Sequence, residues 1–302
     1  MKLNSGDRLY NQLKKSFGEE YLNKVQLITN TVDVLDNSKP VARWVNKSAT
    51  DNDVSTLSSK EVLANYKKLI FQTNYQQNAF RTLLGVPFSK SIVIETGITP
   101  VNADFVFNKI NTVPETINIV YTAAPQRGLQ ILVPVFKHLR QVYPTIRLHV
   151  FCEYDETYKV VFDECRNDPD ITYHGFVSNS ELTAFLATNG HIYAYPCIWE
   201  ENSCTGLIEA MSAGMMCVHS NLGALPDISG GTSAMYNIEE SLNLHAGVFA
   251  NYLASTVEAF TNENNKDIRA YLLFIKEYAD RRYNWNNIQH RWKLVLDGII
   301  EE

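Results

Sequence analysis

The sequence lacks the patterns that assign a chain to common cofactor and metal chemistries. It holds no G-x-G-x-x-G, which weakens a nicotinamide or flavin site, and no G-x-x-x-x-G-K-[ST], so there is no P-loop. The cysteines Cys152, Cys165, Cys197, Cys204 and Cys217 are odd in number and show no C-x-x-C spacing. With seven histidines that also lack zinc spacing, they offer neither a metal cage nor a disulfide framework, so no metal is expected. They read as reduced, mostly buried thiols of a cytosolic protein. Ser203 and Cys204 have no evident His-plus-acid partner, which argues against nucleophilic hydrolysis. No apolar run approaches the ~20 residues that span a bilayer, and the polar start MKLNSGDRLY has no signal-peptide core. The expected location is cytoplasmic, with no membrane span.

Basic side chains are also unevenly missing. Residues 1–100 carry 13 Lys and Arg against 9 Asp and Glu, while the remaining 202 carry 14 against 24. No Lys or Arg occurs between Arg166 and Lys266. A nucleic-acid partner for that region is therefore excluded on charge.

What is present describes an ordinary globular chain. At 302 residues, 45 % hydrophobic and 20 % charged, it can form two domains with sizeable cores. Leu9, Leu13 and Phe17 predict a helix, and residues 25–29 and 41–45 short strands around a small α/β unit. Residues 51–59 read as a polar loop. A strand over 68–72, a helix carrying Ala79, Leu83 and Leu84, and a strand over 91–95 imply parallel pairing. Residues 100–114, with a proline at each end, read as a linker. Beyond it, strands over 117–121, 146–151, 171–174, 191–195 and 215–219 alternate with helical patterns, the doubly wound α/β arrangement. Ser178 and Glu181 form a capping box. Residues 245–302 read as helical, with Ile288, Trp292, Val295 and Ile299 as a packing stripe.

The chain is organised around WEENSCTGLIEAMSAG, residues 199–214. Glu201 and Glu209 stand eight residues apart, and a helix predicted from about Gly206 buries Leu207, Ala210 and Met211 and stops at Gly214. This places Glu209 in the first turn, beside backbone N–H groups that attract phosphate. One carboxylate in that turn and another just before it suit a ligand with both phosphate and hydroxyls, such as a sugar nucleotide. Acidic residues near a helix start also simply complement its dipole. In TAAPQRGLQIL, Gly128 opens a helix and Arg127 either meets an anion there or is a surface arginine. His174-Gly175-Phe176-Val177 either lets a nucleobase lie on backbone or is an ordinary strand exit.

The ordered blocks IVYTAAPQRGL, YHGFVSNSEL, YPCIWEENSCTGLIEAMSAG and SNLGALPDISGG resemble the donor-binding domain of GT-B glycosyltransferases, most closely family-four-like retaining enzymes. Their Glu-x7-Glu signature is matched by Glu201 and Glu209. The resemblance implies a GT-B-like α/β fold of two Rossmann-like domains: a reduced N-terminal, acceptor-side domain over 1–104 and a donor-binding domain with C-terminal helices over 105–302. It implies that Glu209 holds the ribose, that Glu201 faces the donor sugar, and that Arg127 contacts the diphosphate. The helix start at Ser203, Cys204, Thr205, Gly206 and Leu207 and the loop residues Thr122 and Gly128 would complete the phosphate site, with Gly175 and Val177 lining the base. Thr122 stands where such enzymes usually place an arginine. The implied activity is metal-independent retaining transfer from a UDP- or GDP-linked sugar, with no bound cofactor, to a glycan, lipid or protein acceptor. A non-catalytic sugar-nucleotide-binding module and a nucleotide-sugar epimerase or hydrolase are the alternatives.

Overall fold

The computed structural model describes residues 5–30, 35–36, 38–261 and 266–301. They form two compact units, Met1–Gly97 with Tyr283–Glu302, and Ile98–Arg282. The chain thus returns to the first unit for its last helix.

In the first unit, helices α1 (Ser5–Phe17) and α2 (Glu19–Leu22) precede strand β1 (Gln26–Ile28) and strand β2 (Val41–Trp44). Helix α3 (Lys60–Ala64), β3 (Lys68–Phe71), α4 (Asn74–Leu84) and β4 (Ser91–Val93) follow. The sheet order is β1-β2-β3-β4, parallel throughout. Successive strand residues point to opposite faces, so both faces acquire cores. Leu69 and Phe71 join Val41, Val45 and Phe80 on one side, whereas Ile70 joins Ala42, Trp44, Leu9 and Leu13 on the other. Residues 51–59 are more than a polar loop. Asn52–Ser58 winds into a 3₁₀ turn that buries Val54 and Leu57.

The second unit opens with α5 (Ala103–Ile110), inside the stretch that reads as a linker. Asn102 caps it by accepting from the Asp104 N–H at 2.9 Å, and Val106 and Ile110, one turn apart, are buried. The flanking prolines lie outside the helix and so do not break it. The sequence-based border at 104/105 falls within α5. Then come β5 (Ile117–Tyr121), α6 (Leu129–Val142), β6 (Ile146–Val150), α7 (Lys159–Asn167), β7 (Ile171–Tyr173) and α8 (Asn179–Thr188). The capping box at Ser178 and Glu181 starts α8. Next are β8 (Ile192–Tyr195), α9 (Thr205–Ser212), β9 (Met216–Ser220), α10 (Leu225–Ser229), β10 (Ala234–Tyr236), α11 (Leu242–Thr261) and α12 (Lys266–Arg282). The sheet is parallel in the order β10-β9-β8-β5-β6-β7. Every residue of β8 is buried, as a central parallel strand requires.

The last helix, α13 (Trp285–Glu301), belongs to the first unit. Ile288, Trp292, Leu296 and Ile299 sink into the core with Leu9, Leu13 and Trp44, and Val295 packs at its edge. The apolar stripe is packing.

Candidate active site

Strand order locates the site. From β5 the chain builds outward through β6 and β7, then returns to the opposite side of β5 with β8 and continues to β9 and β10. The loops leaving the carboxyl ends of β5 and β8 therefore diverge at a switch point, where parallel sheets form ligand crevices.

Both loops are tightly held. After β5, Pro125–Arg127 forms one 3₁₀ turn and Gly128 (φ 130°) starts α6. A Cβ on Gly128 would lie 2.2 Å from the carbonyl oxygen of Pro196, so only glycine permits this approach to the β8 exit. After β9, Gly223 (φ 63°) similarly abuts the Glu201 backbone, and the Ala224 N–H donates to Glu201 O at 2.7 Å.

Arg127 Nη1 donates to Glu201 Oε1 at 2.5 Å, and the Tyr195 hydroxyl donates to the same oxygen. Glu201 is only 3 % exposed. Burial pushes its carboxyl above the ordinary range, with Arg127 and Tyr195 offsetting part of the effect. Burial, the largest single influence, works against the charge on Arg127, but Glu201 and Tyr195 act together with smaller contributions to hold the guanidinium above its ordinary value. Arg127 Nε is buried and has no hydrogen-bond partner among the described residues. The Trp199 ring, about half exposed, lies 6.0 Å from the Arg127 guanidinium.

Helix α9 begins one residue earlier than expected. Thr205 is its first residue and Cys204 its N-cap, so Glu209 lies in the second turn, half-buried, and not in the first. The cause is local: Cys204 is buried and fixes the entry, leaving Thr205 as the exposed first helical residue. Leu207, Ala210 and Met211 are buried as expected, and Gly214 (φ 62°) lies just past the end. Gly206 is approached closely, since a Cβ there would meet Thr122 Oγ1 at 2.6 Å and the Tyr193 hydroxyl at 3.0 Å. Thr122 thus stands against the start of α9. Ser203 is half-buried just before it. Burial holds the Cys204 thiol well above its ordinary pKa, so it is protonated.

Thr122, Arg127, Gly128, Glu201, Cys204, Thr205 and Gly206 therefore gather around the β5–β8 switch point. Gly175 (φ 69°) and Val177 follow β7, two strands from β5 along the same edge. His174 stacks on Phe151 with ring centroids 4.0 Å apart and lies 3.0 Å from His149 Nδ1. Sequence reasoning missed Tyr195, Tyr193, Trp199 and Gly223. The tyrosines belong to a wholly buried strand and read as core, whereas Gly223 was visible as a turn glycine within SNLGALP. Among the described residues no three of His, Cys, Asp and Glu cluster as metal ligands, and no helix is long and apolar enough to cross a membrane.

Residues 101–240 match the family model described as glycosyl transferases group 1. None of the curated proteins matches the chain. Similar solved structures include a glycosyltransferase from Rickettsia africae ESF-5, at 14 % identity and TM-score 0.70, covering 100 % of this chain and 84 % of that one. Anabaena Alr3699/HepE in complex with UDP and glucose is 13 % identical with TM-score 0.68, covering 99 % and 84 %. Pneumococcal O-GlcNAc transferase GtfA in complex with UDP and GlcNAc is 11 % identical with TM-score 0.69, covering 100 % and 61 %. At these identities the likeness is one of fold. The family match and the shared α/β fold with parallel sheets together support a glycosyltransferase of GT-B fold.

Proposed function

We propose that this chain is a retaining glycosyltransferase that moves a sugar from a UDP- or GDP-linked donor to an acceptor hydroxyl without a bound metal. The observation that carries the reading is the arginine at the switch point. Arg127 pairs with a buried carboxylate yet keeps a buried donor, Nε, with no partner among the described residues, beside loops that meet the start of α9. A buried donor without a partner is costly unless a ligand supplies one. A diphosphate is the group that a guanidinium and a helix N-terminus both favour.

In this reading the diphosphate sits between Arg127 and the backbone at the start of α9, at Ser203, Cys204, Thr205, Gly206 and Leu207, with Thr122 and Gly128 beside it. Glu209 holds the ribose, and Gly175 and Val177 line the base. Glu201 accepts from the donor sugar. The bond from the anomeric carbon to the diphosphate breaks while the acceptor oxygen bonds to that carbon on the same face. The acceptor's proton passes to the departing phosphate oxygen. Arg127 and the helix N-terminus stabilise the negative charge that develops there, so catalysis rests on positioning and electrostatics. The first unit takes the acceptor-side role. UDP in two similar structures makes UDP-sugars the first donors to test.

The test is incubation with labelled UDP- and GDP-sugars and candidate acceptors, following glycosylated product, free nucleoside diphosphate and anomeric configuration. Product with retained configuration, undiminished by EDTA, is expected. Inverted product overturns the stereochemistry, and activity abolished by EDTA and restored by Mg²⁺ overturns metal independence. Release of nucleoside diphosphate without product indicates a hydrolase. Binding without turnover indicates a non-catalytic module.

A further inference from the structure

We propose that Tyr195 is a positioning residue for Glu201: its hydroxyl holds one carboxylate oxygen so that the other is presented to the donor sugar. This rests on the glycosyl-transfer reading above. Both donors to the Glu201 side chain, Arg127 Nη1 and the Tyr195 hydroxyl, converge on Oε1, and Oε2 accepts no hydrogen bond among the described residues. A carboxylate has acceptor capacity on both oxygens. Loading both donors onto one oxygen fixes the plane of the group and leaves the second oxygen for a hydroxyl.

The two donors are not equivalent. Arg127 is a long side chain, 33 % exposed, and is itself the cation that a diphosphate would draw upon. Tyr195 is fully buried on the central strand β8. Its ring is wedged between Tyr121, at 6.1 Å and 62°, and Tyr193, at 5.9 Å and 51°. Because the ring cannot turn away, its hydroxyl keeps Oε1 in place even when Arg127 shifts its hydrogen bonds to phosphate. The backbone of Glu201 is fixed separately, through Ala224 N–H and the close approach of Gly223. The side chain is thus held at one end by the main chain and at the other by Tyr195.

The groups facing Glu201 can be named element by element. Arg127 comes from the turn after β5, Tyr121 from the end of β5, and Tyr195 from β8. Cys197 and Cys204 come from the β8–α9 loop, both thiols raised by burial and therefore uncharged. The β9–α10 loop brings the backbone of Gly223 and Ala224. Among the described residues, Arg127 is the one charged hydrogen-bond partner of the Glu201 side chain and Tyr195 its one neutral donor. Removing the Tyr195 hydroxyl withdraws a bond that favours the ionised carboxylate, so the pH at which Glu201 protonates must rise.

The experiment is Tyr195→Phe, which keeps the ring and removes only the hydroxyl, measured for transfer kinetics against pH and for nucleoside diphosphate binding. Expected are a kcat lowered by about ten- to a hundredfold, an unchanged affinity for UDP, and an acidic limb of the kcat/KM profile moved to higher pH. Added to Glu201→Gln, Tyr195→Phe should cost nothing further, because its effect runs through that carboxylate. An active parent with an unchanged Tyr195→Phe profile overturns the positioning role alone. An equal loss of UDP affinity shows a merely structural tyrosine and also overturns it. A parent that binds UDP but transfers nothing overturns the glycosyl-transfer reading, and the role of Tyr195 falls with it.

Discussion

Arg127 and Glu201 lie 74 positions apart in sequence and meet at 2.5 Å, joining the turn after β5 to the loop after β8. The pair unites a partly exposed cation with a buried carboxylate, and so loss of the cation strands the anion. Arg127→Ala is expected to raise the Glu201 pKa further and to reduce both donor affinity and turnover. Breaking a fully buried pair costs roughly 3–5 kcal/mol, and the partial exposure of Arg127 reduces this to about 1–3 kcal/mol of stability. Arg127→Lys should recover only part, since a point charge cannot reproduce a forked grip. Urea unfolding and UDP titration of both variants check this; parent-like behaviour of Arg127→Ala would place the phosphate site elsewhere.

The two glutamates should separate kinetically. Glu201 is buried in the loop, fixed at Oε1 by Arg127 and Tyr195, whereas Glu209 is half-buried in the second turn of α9. Glu209→Gln is expected to weaken nucleoside diphosphate binding, and Glu201→Gln mainly to lower kcat. A hydrogen bond to a charged group contributes about 1.5–3 kcal/mol, so each loss should be about ten- to a hundredfold. Calorimetric titration with UDP decides it: equal weakening in both variants refutes the division of roles.

Regular alternation made the second sheet legible, because β5, β6, β8 and β9 are short, mostly apolar segments rich in β-branched and aromatic residues, or alternating as in IRLHV of β6, separated by helical periodicity. The switch point followed from that alternation, and with it the loops that carry Arg127 and Glu201. Side-chain partners were less legible. Nothing in YAYP distinguishes a tyrosine that fills a core from one whose hydroxyl reaches a carboxylate. Helix α5 was obscured because its prolines stand outside it, while its own signal is only Asn102 with Val106 and Ile110. The placement of α13 in the first unit depends on a long-range return of the chain, and Ile288, Trp292 and Ile299 do not say which core they fill.

Acid should destabilise the second unit through its histidines. Burial lowers His149 and His219 to about 4 and His191 to about 3, against an ordinary value of 6.5. Depressed folded-state values mean that the unfolded chain binds more protons in this interval. The stability they contribute is complete above pH 6.5 and is lost as pH falls through about 4. Urea midpoints measured from pH 7 to pH 4 should fall steadily, and His149→Gln should flatten the slope. A slope identical to the parent's would show that His149 does not report this linkage.

Two glycines of the candidate site permit a sharper comparison. Gly128 and Gly175 both have positive φ, 130° and 69°, so any L side chain meets conformational strain at either position. Their surroundings differ. An added Cβ at Gly175 would find nothing within 4 Å, whereas at Gly128 it would strike the Pro196 carbonyl oxygen at 2.2 Å and its carbon at 3.0 Å. Those atoms are main chain, so the clash is relieved only by parting the turn after β5 from the exit of β8. Gly175→Ala should therefore cost about 1–2 kcal/mol of strain alone. Gly128→Ala should cost that strain plus about 1–3 kcal/mol of overpacking. The parting would also displace Arg127, one residue away, from Glu201. Gly128→Ala should thus lower UDP affinity and kcat together, while Gly175→Ala leaves the Arg127–Glu201 pair intact. Urea unfolding combined with UDP titration of the two variants checks both statements. Equal destabilisation, or full UDP affinity in Gly128→Ala, would show that the close approach of the two loops does not hold the arginine in place.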